Sequence, residues 1–130
     1  MKIVHVLVEG LTEELFVKNV MSKHSTLSHL QLKPFNFQGS VSYEEFKKVA
    51  ARFLHDRSKP WVTTMLDYQG ISASFPKIKE SKQAAKSDRA SIVEIAMTTD
   101  IAHGKFMPFL MMHEFEAFLF VKPDQPLGSH

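Results

Sequence analysis

The sequence contains no cysteine, which excludes a disulfide framework and any zinc site built on thiolates. That absence agrees with a reducing compartment, and a cytoplasmic location is expected. Long apolar runs are missing too: nothing approaches the roughly 18 residues that a membrane-spanning helix needs, so no membrane contact is expected. Charge of one sign is scarce, because 16 Lys and Arg against 14 Asp and Glu leave a formal net charge of +2. That is too small by itself to argue for nucleic acid. Glycine is limited to five residues, and neither Gly-x-Gly-x-x-Gly nor a phosphate loop ending in Gly-Lys-Ser/Thr occurs. Gly-x-Ser-x-Gly is absent as well. The seven histidines are scattered, with no pair at metal-binding helical spacing beside a glutamate.

What is present is material for a core. Hydrophobic residues make up 44% of the chain, including 11 Phe and 7 Met, which excludes disorder as the ground state. A length of 130 residues is that of one domain. Residues 1–123 are expected to form it, and 124–130 to be a disordered tail, a cloning scar or a truncation point.

Lys2 to Val8 is nearly all apolar and β-branched, as in a strand buried on both faces. Its start resembles a signal segment, but Glu9 and Gly10 cut the apolar run short. Gly10 permits a turn, and Thr12 can cap a helix with Glu13 and Glu14 in its first turn. Leu11, Leu15, Phe16 and Val20 then share one face, expected to pack inward. Leu30 to Gln38 partly alternates around Pro34 and fits an edge strand or two short pieces. Ser42 and Glu45 make a capping box for a helix to about Asp56, with Tyr43, Phe46, Val49, Ala50, Phe53 and Leu54 as its stripe. Trp61 to Tyr68 reads as a central strand ending at Asp67. Residues 69–88 read as a long loop with at most a short helical piece. Arg89 to Ala102 is helical, with Ile92, Ile95, Ala96 and Thr99 on one side, and Gly104 ends it. Phe106 to Met112 is a further strand, and Glu114 to Phe120 either a short helix or a continuation of it. This alternation defines an α/β fold, Rossmann-like, with a mainly parallel sheet of about four strands flanked by helices.

Open parallel sheets bind ligands beyond the carboxyl ends of their strands. Three strands place acids there: Glu9, Asp67, and Glu114 with Glu116, beside His113. Clustered carboxylates either raise a pKa or recruit a hard cation such as magnesium. Each residue also has a plain role. Glu9 could cap the first helix, Asp67 could be a turn acid before Gly70, Glu116 could face solvent, and His113 could be a structural imidazole. Between Lys77 and Arg89 five cations face only Glu80 and Asp88. This stretch is either a solvated loop or a phosphate-contacting one.

Three blocks carry a resemblance. Val8-Glu9-Gly10-Leu11-Thr12-Glu13-Glu14-Leu15-Phe16-Val17, Val62-Thr63-Thr64-Met65-Leu66-Asp67-Tyr68 and His113-Glu114-Phe115-Glu116-Ala117-Phe118-Leu119-Phe120 resemble, in that order, a bacterial family. It is domain-of-unknown-function family 4276, related to the Toprim domains of topoisomerases, primases and overcoming-lysogenization-defect nucleases. The resemblance implies a Toprim-like domain with Glu9 as general acid or base. Asp67 would be a ligand to Mg2+ or Mn2+. The usual Asp-x-Asp is replaced by Asp67-Tyr68-Gln69, so Glu114 or Glu116 would have to supply the missing carboxylate. Gly10, Lys82, Lys86, Arg89 and His113 are the candidates for substrate contact. The expected activity is metal-dependent phosphodiester chemistry on nucleic acid in a defence or mobile-element setting. The alternative is a catalytically inactive Toprim-like module that binds a protein or nucleic-acid partner.

Overall fold

A computed structural model of the chain describes residues 2–112. The apolar N-terminal run forms β1 (Lys2–Val8), followed by α1 (Leu11–Asn19), β2 (Leu30–Asn36), α2 (Tyr43–Leu54) and β3 (Trp61–Asp67). After β3 come α3 (Ile78–Lys82), α4 (Arg89–Ile101) and two short strands, β4 (Phe106–Met107) and β5 (Leu110–Met111). The sheet order is β2-β1-β3-β4, with β5 also on β3, and every pairing is parallel. This is the expected Rossmann-like α/β architecture. Pro34 sits in β2, opposite Val6, on the edge strand where its missing N–H costs no ladder bond.

Alternation along the strands divides the core in two. Leu7, Val62 and Leu66 point to one face, where they meet Phe46, Val49, Ala50 and Leu54 of α2 and Val93 and Met97 of α4. Val6, Val8, Met65 and Met111 point to the other and meet Val17 of α1. The α2 stripe is as its spacing predicts, and the Ser42 hydroxyl accepts from the Glu45 N–H at 3.2 Å.

Three local expectations are corrected. Of the expected inward face Leu11, Leu15, Phe16 and Val20, only Phe16 packs on the core. Val17 is buried, whereas Leu11 and Val20 are at least half exposed and Leu15 is exposed. The nine-residue helix covers only part of that sheet face, so most of its apolar stripe has nothing to pack on. Gly10 rather than Thr12 stands at its N-cap, with no side-chain cap. Finally, α4 ends in a left-handed residue that is Ala102 (φ 53°), not Gly104. Its Ile92, Ile95, Ala96 and Thr99 do share a side, but that side lines an open groove.

The predicted single strand over 106–112 is split at Pro108 and Phe109, yet its register against β3 is continuous: Val62 and Thr63 pair with Phe106 and Met107, Leu66 and Asp67 with Leu110 and Met111. Threonine hydroxyls bridge the gap. Thr63 Oγ1 donates to the Met107 carbonyl at 2.6 Å. Thr64 Oγ1 donates to the Phe109 carbonyl at 2.6 Å and accepts from the Phe109 N–H at 2.8 Å. Thr64 is 1% exposed, so these groups have no water to fall back on. Thr64→Val should therefore lower the unfolding free energy by about 2 kcal/mol. Thr64→Ser, which keeps the hydroxyl, should cost about 1 kcal/mol or less. Urea denaturation of the two variants checks this.

Candidate functional site

The helical connections return the chain so that β1, β2 and β3 all end at one edge of the sheet. The strand order changes direction between β1 and β3: β2 lies to one side of β1, and β3 and β4 to the other. Such a switch point leaves a crevice between the departing chains. Glu9 follows β1 and Asp67 ends β3 at this place, so the topology brings these two residues together.

Glu9 is half-buried. The loop after β2 wraps it: the Gly39 N–H donates to the Glu9 carbonyl at 2.7 Å, and the Val41 N–H to Glu9 Oε2 at 3.3 Å. That loop turns through two positive-φ residues, Gln38 (62°) and Gly39 (137°). The value at Gly39 is one that side chains rarely tolerate. The Glu9 side chain is thus committed to this loop and does not cap α1. Burial pushes its carboxyl up to about 7, opposed by the Val41 hydrogen bond and reinforced by the negative charges of Glu13 and Asp67. A carboxyl that exchanges its proton near neutrality is suited to general acid or base work.

Asp67 keeps part of its plain role, since its Oδ1 accepts from the Gln69 N–H at 3.1 Å. No hydrogen bond holds its other oxygen among the described residues. Glu13 lies over Gly10: a β-carbon at that glycine would stand 3.4 Å from Glu13 Oε2. That is an ordinary contact with the end of a flexible side chain, so the glycine marks the proximity of the Glu13 carboxylate to the turn after β1. Glu14 has a different fate. It takes Asn36 Nδ2 at 3.0 Å and Lys18 Nζ at 3.0 Å, which hold its carboxyl below the usual range and tie α1 to β2.

Lys82 closes α3, Lys86 lies in a 3-10 turn and Arg89 opens α4. Since α4 leads into the start of β4, its first residue stands at the same sheet edge as Glu9 and Asp67. Arg89 Nε donates to the Ala84 carbonyl at 3.2 Å. Lys82 and Lys86 are exposed, and neither forms an ion pair among the described residues. His113, Glu114 and Glu116 lie outside the described residues, as does the tail 124–130. Among the described residues no group of three or more His, Asp or Glu is placed to hold one metal ion.

The sequence reading missed the loop 37–41, which supplies the only hydrogen bond to a Glu9 side-chain oxygen among the described residues. Its signal was Gln38-Gly39-Ser40, a turn sequence with no stated partner. A cavity of about 1060 Å³ lies elsewhere, between Tyr43, Lys77, Glu80 and α4. It is largely apolar and does not include the carboxylates, so it is not the place of their chemistry.

The fold and the two neighbouring carboxylates define a Rossmann-like α/β protein with acids at adjacent strand ends. The sequence model of a domain of unknown function (DUF4276) matches residues 8–126, and the chain belongs to that family. No curated protein and no solved structure matches it significantly. No helix among the described residues is long and apolar enough to cross a membrane.

The raised Glu9 value makes stability depend on pH. In the unfolded chain Glu9 ionises near 4.5, and in the folded protein near 7. Its contribution is therefore most favourable below the lower value. It falls as pH rises between the two and is level above the upper one. Glu9→Gln, which cannot ionise, should gain about 1 kcal/mol over the parent at pH 8 after allowance for solvent screening, and nothing at pH 4. Thermal denaturation of both proteins at the two pH values checks the sign.

Proposed function

We propose that the protein performs divalent-metal-dependent cleavage of phosphodiester bonds in nucleic acid. One observation carries the reading: a half-buried glutamate whose proton is held to about neutral pH stands beside an aspartate at the ends of two adjacent parallel strands. The resemblance to Toprim domains points the same way. The reading asks little of the protein, because magnesium takes only one or two carboxylates and completes its shell with waters and substrate phosphates. Asp67 would be the first ligand, with Glu114 or Glu116, which lie outside the described residues, as the expected second. When bound, the metal supplies Lewis-acid polarisation of the phosphate.

The chain's own groups do the rest. Glu9 takes the proton of the attacking water or returns one to the leaving oxygen. Gly10 lets the strand approach the backbone, while Lys82, Lys86 and Arg89 contact its phosphates.

Plasmid and single-stranded DNA incubated with and without magnesium or manganese test this. Cleavage should require the metal, and Glu9→Gln and Asp67→Asn should each slow it about 100-fold or more. Unchanged cleavage in both variants sinks the assignment. Millimolar magnesium should also raise the melting temperature of the parent but not of Asp67→Asn, by preferential binding to the folded state.

A second reading is a catalytically inactive module that binds a protein or nucleic-acid partner. Gln69 favours it, standing where a second aspartate would complete the metal site. It predicts no calorimetric heat with millimolar magnesium and no cleavage of either DNA.

A further inference from the structure

The opposite edge of the sheet, where the strands begin, carries chemistry of the other sign. Trp61, the one tryptophan in the chain, opens β3 and is half-buried. Two cavities of about 340 and 350 Å³ meet there, both lined by Trp61 and Lys2. Lys59 and Lys105 complete the cationic wall of the first. Val4, His29 and Met107 make the second largely apolar. Among the described residues no acidic side chain lines either cavity. Asp56, which precedes them in the chain, has one carboxylate oxygen occupied by the N–H and hydroxyl of Ser58, at 3.0 and 2.5 Å.

The cations are placed by specific contacts. Lys105 Nζ stands 5.8 Å from the centroid of the Trp61 ring and donates to the Lys59 carbonyl at 2.8 Å. Lys59 has φ 52°, a left-handed conformation uncommon for a side-chain-bearing residue. The Asp56 carbonyl, which accepts its N–H at 3.0 Å, secures it on the other side. None of Lys2, Lys59 and Lys105 forms an ion pair among the described residues. Three lysines with no carboxylate partner among the described residues therefore line the cavities that share one indole, and one of them, Lys105, stands over its ring. A bare phosphate would leave the indole unused, and an acidic peptide brings charge without a flat ring.

We propose that this edge is a nucleotide-binding site, with a planar base against Trp61 and its phosphate among Lys2, Lys59 and Lys105. The site uses none of the strand-end carboxylates and is independent of the reading given to them. The nucleotide is either free or a unit of a single strand.

Trp61 is its own reporter. The full chain is titrated in EDTA with AMP, with a short oligothymidylate and with inorganic phosphate, following tryptophan emission. The nucleotide and the oligonucleotide should quench it saturably, and phosphate should not. Much tighter binding of the oligonucleotide identifies the strand as the source, and comparable binding the free nucleotide; both support the site. Combining Lys2→Gln with Lys59→Gln, two exposed positions, should weaken binding about ten-fold and flatten its salt dependence. Glu9→Gln and Asp67→Asn should leave the titration unchanged. Circular dichroism melts confirm that each variant is folded. No quenching by either nucleotide probe overturns the proposal, and so does equal quenching by phosphate. Loss of the signal in the carboxylate variants overturns it as well, because the response would then come from the other edge.

Discussion

The structure depends on β1 being paired in parallel on both sides. Seven residues of β1 are in register with β2 and five with β3, so β1 is the strand that joins the two halves of the sheet. The side chains at its C-terminal end supply both cores: Leu7 enters one, and Val6 and Val8 enter the other. Parallel neighbours cannot be joined by tight turns, so each connection must cross a face with a helix. The same constraint brings the strand ends to one edge and opens the crevice where the strand order changes direction. Glu9 and Asp67 approach each other for that reason, although they stand 58 positions apart in the chain.

Three glutamates within six positions show how partners, not residue type, set chemistry. Glu14 has Lys18 and Asn36 and is a stabilised anion that fastens a helix to a strand. Glu9 has a single backbone N–H, partial burial and two carboxylates nearby, and it holds its proton to about neutrality. Glu13 stands over Gly10 and adds to the negative charge that Glu9 feels. An environment that disfavours the ionised form costs stability, and such costs concentrate where a protein handles protons.

The two edges of the sheet carry different chemistry. Acids gather where strands end, and lysines around the tryptophan where they begin. A net charge of +2 averages these regions and hides both. The face covered by α1 also remains partly open. Leu11 is 62% exposed and Met107 60%, and Met107 also lines one of the Trp61 cavities.

Much of this was legible along the chain. Runs of apolar, β-branched residues mark β1 and β3, and the capping Ser42 with its stripe marks α2, because these depend on near neighbours and local periodicity. The strand-end acids could be located for the same reason, since a strand's end is a local event. The inward side of α1 was not legible: its four-residue apolar spacing is real, but burial needs a surface to pack on, and the sheet offers one only to Val17 and, in part, to Phe16. Nor could the break at Pro108 reveal that Thr63 and Thr64 would bridge it from 44 and 45 residues away. By itself the sequence determined the elements, their order and the acids at their ends. Only the tertiary structure decided which acid is buried, which is paired, and which loop holds Glu9, because desolvation and hydrogen bonding act through space between residues distant in the chain.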